Sequence, residues 1–263
     1  MDALAWHGGY VDDSTAMAAA GRLVADAARI TVLTGAGVST ESGIPDFRGP
    51  NGLWTTQPQS RRLFSLAAYR DDPQLRRDAW RRRLEHPAWQ AEPNEAHRAL
   101  VELQRRARLR ALLTQNIDGL HQRAGSDPEL VVELHGTLTQ TRCLGCEARG
   151  PMDEALRRVR EGEPDPPCLA CGGVLKSATI SFGQRLDADV MRRAAEAAVR
   201  CDLMIAAGTS LSVQPAAGMV GLAAAAGAKV IICNNDPTPY DELAHALVRG
   251  RLGEVLPQLC ARG

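Results

Sequence analysis

Apolar runs of five or six residues alternate along the chain with longer stretches in which apolar residues recur every three or four positions. The runs are typical of strands buried on both faces, and the spaced pattern is typical of amphipathic helices. Strands are predicted at residues 30–34, 109–114, 129–134, 203–207 and 229–233. Helices are predicted at residues 14–28, 94–106, 186–199 and 215–226. The alternation predicts an α/β fold built on a doubly wound parallel sheet.

Two stretches interrupt this alternation. Residues 51–92 are rich in Arg, Pro and Gln with scattered aromatic residues, which predicts a helical insertion. Residues 137–180 hold four of the seven cysteines and predict a small domain. Because no internal repeat or low-complexity linker is present, we expect the rest of the chain to form one doubly wound domain in three segments. These segments are residues 1–50, 93–136 and 181–263.

A glycine-rich loop follows the first predicted strand directly. Gly35 and Gly37 lack side chains, so backbone N–H groups there can approach a diphosphate, although glycine pairs also mark ordinary tight turns. The loop continues into Pro-Asp-Phe-Arg at residues 45–48, where the proline stops a helix. Asp46 and Arg48 form either a surface ion pair or part of a ligand-covering loop. Their place beside the glycines favours a nucleotide site.

Polar residues also follow the second and third predicted strands. Asn116 and Asp118 come after residues 109–114, and His135 comes after residues 129–134. The carboxyl ends of parallel strands meet at one edge of the sheet, where ligands bind. An imidazole there can take a proton from a sugar hydroxyl at neutral pH. The alternatives are a hydrogen-bonded core histidine and helix-capping turn residues, and His121 is the only rival base.

Four cysteines are arranged as two Cys-x-x-Cys pairs. Cys143 and Cys146 are separated by 21 residues from Cys168 and Cys171. This spacing is typical of two knuckles that close a tetrahedral structural zinc site. Four thiolates leave no open position for water, which argues against a catalytic metal. A redox dithiol or a disulfide is the alternative.

Charge and length narrow the function classes. The 31 basic and 31 acidic residues give a formal net charge of zero, which argues against nucleic acid or an anionic membrane as the main partner. With 263 residues, 44% of them apolar, the chain can bury a large core without disulfides. No stretch has the form of a signal peptide or reaches the roughly 20 apolar residues of a membrane span, so we expect a cytoplasmic protein.

In order and spacing, the motifs of this chain resemble those of the sirtuin family, over about residues 15–256. The matching motifs are GAGVS at 35–39, GIPDFR at 43–48, TQNID at 114–118, LHG at 134–136, the four cysteines, FG at 182–183, GTSL at 208–211 and NN at 234–235. The resemblance implies a large Rossmann-like domain, a small zinc-ribbon domain and NAD as cofactor. It also implies an NAD-dependent protein lysine deacylase that acts on acylated lysine side chains and releases nicotinamide and O-acyl-ADP-ribose.

The resemblance also implies roles for individual residues. The catalytic residues are His135, as general base, and Asn116. The residues lining the diphosphate and ribose are Gly35, Ala36, Gly37 and Ser39. The loop that shields the nicotinamide ribose holds Asp46, Phe47 and Arg48, and the residues that order this ribose and the carboxamide are Gln115, Asn116 and Asp118. The residues on the adenosine side are Gly208, Thr209, Ser210, Asn234, Asn235, Asp236 and Leu252. The peptide adds as a strand along residues that include Ile180, Phe182, Gly183 and Val213.

Two departures from the family pattern bear on substrate choice. Gln184 stands where the family usually has Glu, which removes a negative charge at the mouth of the peptide groove. Desuccinylating sirtuins carry Tyr-x-x-Arg in the insertion, and the nearest counterparts here are Trp80 and Arg83. An arginine there can pair with an acyl carboxylate. However, Trp replaces Tyr and the spacing to Pro93 is one residue longer, so we favour acetyl or another uncharged acyl group over succinyl.

Three other functions remain as alternatives. A nicotinamide-dependent dehydrogenase shares the fold, but the acidic residue expected about 20 positions beyond the glycine loop is missing. A zinc-ribbon scaffold would not need His135, Asn116 and Asp118 beside one loop. Protein ADP-ribosyl transfer is the alternative within the sirtuin class.

Overall fold

The structure is a computed structural model that describes residues 13–261. Residues 1–12 and 262–263, which belong to the first and last predicted segments of the large domain, lie outside the described residues. The strands are β1 (Ile30–Thr34), β2 (Leu109–Thr114), β3 (Val131–Glu133), β4 (Gly136–Cys143), β5 (Arg149–Pro151), β6 (Leu175–Thr179), β7 (Leu203–Ala207), β8 (Lys229–Cys233) and β9 (Ala246–Val248). The helices are α1 (Asp13–Asp26), α2 (Leu53–Thr56), α3 (Leu66–Asp71), α4 (Pro73–Leu84), α5 (Glu95–Arg105), α6 (Leu120–Arg123), α7 (Met152–Arg160), α8 (Ala188–Val199), α9 (Gly218–Ala225) and α10 (Leu252–Cys260). Short 3₁₀ helices are Ala36–Ser42, Pro58–Phe64, Pro87–Trp89 and Asp241–Leu243.

Six parallel strands form the main sheet in the order β3-β2-β1-β7-β8-β9. The strands predicted at 30–34, 109–114, 203–207 and 229–233 are confirmed. The strand predicted at 129–134 is shorter, and the three-residue edge strand β9 was not predicted. The chain runs outward from β1 in one direction and from β7 in the other, so the strand order reverses between them. Such a switch point opens a crevice at the carboxyl ends of the strands, where ligands bind.

Helices cover both faces of the sheet, which confirms the doubly wound α/β fold. Buried residues of α1, α5 and α10 pack on one face, and those of α8 and α9 pack on the other. Helix α5 begins where predicted because the Asn94 side chain accepts hydrogen bonds from the N–H groups of Ala96 and His97. No helix within residues 13–261 is long and apolar enough to cross a membrane.

A second, three-stranded antiparallel sheet in the order β5-β4-β6 forms a small lobe with α7 and the insertion helices. Tyr69 of α3 donates a hydrogen bond to the Leu175 carbonyl oxygen of β6 at 2.9 Å. Trp80 of α4 is fully buried against Cys143 and Met152. The insertion therefore packs onto the cysteine-containing sheet. The division into domains by residue number stays a prediction.

Buried histidines should make the fold sensitive to acid. Burial and the neighbouring Arg98 guanidinium lower the pKa of His97 from 6.5 to about 4. Between about pH 6.5 and pH 4, this histidine binds a proton in the unfolded chain but not in the folded one. The free energy of unfolding is therefore unaffected by the protonation of this group above about pH 6.5 and decreases as the pH falls towards 4. The decline amounts to about 1.4 kcal/mol per pH unit for each such group.

We expect His97→Gln to be less stable than the parent at pH 7.5 but to lose less unfolding free energy between pH 7.5 and 5.5. Urea denaturation at both pH values, with zinc in excess, measures this difference. Equal losses in parent and variant would contradict it.

Candidate active site

The glycine loop lies at the switch point and touches the loop that follows β7. Gly35 N–H donates to the Ala207 carbonyl oxygen at 3.0 Å, and Gly37 N–H donates to that of Gly208 at 2.9 Å. A Cβ atom added at Gly37 would lie 2.8 Å from the Gly208 Cα atom. Only residues without side chains permit this approach, so the glycines hold the two loops together in addition to leaving room for a ligand.

Ser39, Asn116 and Asp118 form a buried polar group beneath this loop. The Ser39 hydroxyl donates to Asp118 Oδ2 at 2.7 Å, and Asn116 Nδ2 donates to the Gly35 carbonyl oxygen at 3.0 Å. Asp118 Oδ1 also accepts from Leu120 N–H at 2.9 Å, so the capping role considered from the sequence is present as well. Burial raises the pKa of Asp118. The group therefore fixes the glycine loop to the end of β2.

Gln115 links the loops that follow β2 and β7. Its Nε2 donates to Thr209 Oγ1 at 2.9 Å, and its backbone N–H donates to the Thr34 carbonyl oxygen at 3.0 Å. The structure thus brings the ends of β1, β2 and β7 together at one edge, as the sequence predicted.

His135 lies at the same edge, and a backbone contact determines its tautomer. Its Nδ1 lies 3.1 Å from the Gln115 carbonyl oxygen. A carbonyl oxygen only accepts hydrogen bonds, so Nδ1 carries the proton and Nε2 keeps a free lone pair. Burial lowers the pKa of the ring, against the raising effect of this hydrogen bond. His135 is therefore neutral at pH 7 and able to accept a proton at Nε2.

His121, the rival base, is buried. It is 1% exposed, and its Nε2 lies 2.9 Å from Thr34 Oγ1. Its ring packs against that of His97, with the ring centroids 4.9 Å apart. Burial lowers its pKa well below the ordinary value. These contacts describe a core histidine.

The segment at residues 45–48 packs through aromatic rings. The Phe47 ring lies 4.8 Å from that of Trp54 and 5.8 Å from that of Phe64, and the Arg48 guanidinium stacks over Trp54 at 4.7 Å. Asp46 accepts from Gly49 N–H at 2.9 Å. Within residues 13–261 no ion pair joins Asp46 and Arg48, which leaves the surface ion-pair alternative without support.

The predicted adenosine-side residues follow β7 and β8 at the same sheet edge. Ser210 Oγ lies 2.8 Å from Ser212 Oγ, and Asn235 Oδ1 accepts from Gly250 N–H at 2.9 Å. Asn234 Nδ2 donates to the Asp236 carbonyl oxygen at 2.8 Å. Leu252 of α10 is 8% exposed and packs against Gly208. The side chains of Asn234 and Asn235 thus shape the loop after β8, and Leu252 supports the glycine at the switch point.

The predicted peptide segment is tied both to the base and to the insertion. Ile180 N–H donates to the His135 carbonyl oxygen at 2.8 Å. Phe182 N–H donates to the Phe64 carbonyl oxygen at 2.7 Å, so residues 64–66 occupy part of one backbone edge of this segment. The Phe182 side chain remains 51% exposed. Val213 is half-buried in the loop after β7 and accepts a hydrogen bond from Ala217 N–H at 2.9 Å.

The four cysteines converge as predicted. All four Sγ atoms lie within 4.8 Å of one another, with Cys143 and Cys171 at 3.5 Å and Cys146 and Cys168 at 3.7 Å. Zinc–sulfur bonds of about 2.3 Å in a tetrahedron place sulfurs slightly under 4 Å apart. The donor set therefore fits zinc, and four thiolates leave no position for a reacting water.

Trp80 and Arg83 lie in the small lobe, in different surroundings. Trp80 is 0% exposed inside the lobe core, so its ring is closed to a ligand. The Arg83 guanidinium lies over the rings of Trp80 and Tyr69 and donates to Ser177 Oγ at 3.2 Å. Within residues 13–261 it has no carboxylate partner.

The sequence analysis missed one supporting residue. Asn94 Nδ2 donates to the Val38 carbonyl oxygen at 2.8 Å and to Ser42 Oγ at 2.9 Å. The same side chain caps α5 through its Oδ1 atom. The capping pattern was visible in the sequence, but its second use in holding the glycine-loop helix was not.

Comparison with known proteins decides the family. The family model described as "Sir2 family" matches residues 35–215. The NAD-dependent protein deacetylase 2 of Streptomyces coelicolor is 51% identical over 230 residues, which cover 88% of this chain and 95% of the relative. The chain belongs to the Sir2 family.

Solved Sir2 structures agree over nearly the whole chain. One, described as holding a deacetylated p53 peptide and 3'-O-acetyl ADP ribose, has a TM-score of 0.85 at 34% identity and covers 94% of this chain and 98% of that one. Another, with a p53 peptide and NAD+, has a TM-score of 0.82 at 34% identity and covers 92% and 96%. The Sir2 fold of this chain, with its parallel sheet and cysteine-bearing lobe, is thereby confirmed.

The residues of this Sir2 chain also fit a dinucleotide at the switch point. The helix at 36–42 begins at Gly35 without a side-chain cap. Its Gly37 and Val38 N–H groups already donate to the Gly208 and Gly35 carbonyl oxygens, which leaves the Ala36 N–H group to bind an anion. Asn116 and Asp118 supply polar groups for sugar hydroxyls within the same crevice.

Proposed function

We infer that this chain is an NAD-dependent protein lysine deacylase with a structural zinc ion. The observation that carries this inference is the free Nε2 of His135 at the edge where the glycine loop, Asn116 and Asp118 converge. The names of its Sir2 relatives, which are deacetylases and deacylases, support the same activity.

NAD, when bound, supplies nicotinamide as leaving group and the ADP-ribosyl group that receives the acyl group, so the products are free lysine, nicotinamide and O-acyl-ADP-ribose. His135 Nε2 takes a proton from a ribose hydroxyl, while the Gln115 carbonyl oxygen holds Nδ1–H and stabilises the imidazolium that results. Asn116 and Asp118 position the sugar. Phe47, held by Trp54 and Phe64, excludes water from the reacting carbon.

The cofactor-binding roles proposed for the other residues follow from their place at the same edge. Residues 35–37 line the diphosphate, with Ser39 beneath them, and the Ala36 N–H group binds it because those of Gly35 and Gly37 already donate to the end of β7 and the loop after it. Asp46 and Arg48 flank the Phe47 shield, and Gln115 positions the carboxamide. The residues proposed for the adenosine side remain Gly208, Thr209, Ser210, Asn234, Asn235, Asp236 and Leu252.

We propose acetyl or another uncharged acyl group as the preferred substrate modification. The burial of Trp80 supports this proposal, because that ring does not line an acyl pocket as the Tyr of desuccinylases would. Succinyl is the second candidate, and the observation in its favour is that the Arg83 guanidinium has no carboxylate partner within residues 13–261.

Incubation of the purified protein with NAD and an acetylated peptide tests the activity. Nicotinamide release that requires the acylated peptide is the expected result. Formation of NADH would indicate a dehydrogenase, and labelled protein from labelled NAD would indicate ADP-ribosyl transfer.

Replacing Arg83 tests the acyl preference. We expect Arg83→Met to change kcat/KM for acetylated and succinylated peptides by the same factor, because Arg83 contacts Tyr69, Trp80 and Ser177. Arg81→Met, an exposed neighbour on α4, is the matched control. A selective rise in KM for the succinylated peptide would assign Arg83 to carboxylate recognition.

A further inference from the structure

Three exposed arginines belong to segments next to the exposed Phe182 at the predicted peptide groove. Arg48 and Arg61 both stack over Trp54, at 4.7 and 5.3 Å from its ring centroid. The Trp54 ring lies 5.7 Å from that of Phe182. Arg185 follows the turn in which Gln184 N–H donates to the Ser181 carbonyl oxygen. We call Arg48, Arg61, Arg185 and Phe182 the groove-mouth surface.

The cations of this surface form no ion pair with a carboxylate in the described part of the chain. Within residues 13–261, no carboxylate lies within ion-pairing distance of Arg48, Arg61 or Arg185. Many other arginines do have such partners, among them Arg62, whose guanidinium lies 3.0 Å from Asp72. The net charge of the whole chain is zero, so the positive charge is a local property of this surface.

Gln184, next to Arg185, adds no negative charge to this surface. Its Oε1 accepts from Ser181 N–H at 3.2 Å and from Lys176 Nζ at 3.4 Å. Lys176 is 2% exposed behind the surface, and burial lowers its pKa to about 7, so it carries only part of a positive charge at neutral pH. A neutral amide therefore occupies the position where a carboxylate would have offset the positive charge of the arginines.

We propose that the groove-mouth surface selects acylated lysines flanked by acidic residues. This inference rests on the proposed deacylase function and names its substrate class more closely. A peptide that passes Phe182 brings its flanking side chains near Arg61 and Arg185. Opposite charges on the protein and the peptide raise their association rate, and like charges lower it. Both effects decrease as salt screens the charges. Acidic flanks therefore lower KM and leave kcat unchanged.

The test uses three peptides with the same acetyl-lysine, flanked by Asp and Glu, by Ala and Gly, or by Lys and Arg. We expect kcat/KM to fall from the acidic to the basic peptide by roughly tenfold at low salt, as for several weak exposed pairs, and the difference to vanish near 0.5 M salt. Fluorescence polarisation should give the same order for peptide Kd. Equal values for the three peptides would overturn the proposal.

Charge-reversal variants test whether the arginines of the groove-mouth surface cause the peptide preference. Arg61→Glu and Arg185→Glu should each reduce or invert the preference for the acidic peptide. Arg22→Glu, an equal charge change at an exposed position of α1, should leave it unchanged. An unchanged order in the first two variants would remove the groove-mouth surface from the explanation.

Two further outcomes are distinguishable. If no peptide is deacylated, the proposed function fails, but the order of peptide Kd values still decides the charge preference. If oligouridylate or duplex DNA displaces the acidic peptide at equimolar concentration, the surface binds nucleic acid and the proposal is overturned.

Discussion

Replacing His135 by Ala is expected to lower kcat for deacylation by about 10²–10⁴-fold, the usual contribution of a positioned general base. The Nδ1–H bond to the Gln115 carbonyl oxygen presents the Nε2 lone pair, and no other imidazole in residues 13–261 takes the same position. NAD and peptide affinities should change little, because the loss falls on the proton transfer. Initial rates at saturating substrates, with Kd values measured separately, test this expectation.

The pH profile provides a second readout of the same residue. Burial lowers the pKa of His135 below 6.5, so the active neutral form persists into mildly acidic solution. The rate should rise with pH through this lowered pKa and then stay level. His121→Ala is the control, since it removes a core histidine and should lower the melting temperature. A His135→Ala enzyme that keeps a third or more of the parental kcat would exclude the general-base role.

Removing the metal is expected to unfold the small lobe and abolish peptide turnover. Structural zinc contributes about 10–16 kcal/mol in isolated zinc-finger peptides. The ligands Cys143 and Cys168 are themselves buried in the lobe core, so the metal and the apolar contacts stabilise one unit. Zinc content per chain, limited proteolysis of residues 136–179 and nicotinamide release after chelation measure the three consequences.

A matched pair of serine variants separates metal binding from ordinary packing. Cys146→Ser should lose zinc and activity together. Cys201→Ser should keep both, because a hydroxyl can replace the Cys201 thiol as donor to the Ala198 carbonyl oxygen. Full activity in metal-free protein would show that the cysteines do not support the groove.

Sequence analysis predicted the parts of the molecule that are determined by hydrophobic runs and by the spacing of residues close together in the sequence. Buried apolar runs gave β1, β2, β7 and β8, because strands covered on both faces leave continuous hydrophobic segments. The convergence of His135 with the glycine loop followed from the rule that parallel strands end at one edge. The cysteine cluster followed from knuckle spacing.

The remaining features depend on contacts between distant segments. The short strand β9 carries too few residues for its pattern to stand out, and its pairing with β8 comes from the fold. Residues 180–183 follow β6 as an irregular segment because Phe182 pairs with the insertion. The burial of Trp80 likewise depends on the insertion folding onto the cysteine-bearing sheet. Sequence spacing alone contains none of this information.

Gly136 joins the proposed base to the small lobe. Its φ is 71°, and a Cβ atom there would lie 2.0 Å from the Ala178 carbonyl oxygen, so only glycine fits. His135 lies two residues beyond the end of β3, the edge strand of the large sheet, and the next residue begins β4. A rotation of the metal-bearing lobe about this joint would act on His135 through the Ile180 N–H bond to its carbonyl oxygen, while the Gln115 carbonyl oxygen holds the ring to the large sheet. Both lobes therefore hold the proposed base, one through its ring and the other through its backbone, and a displacement of either lobe would strain one of these two hydrogen bonds.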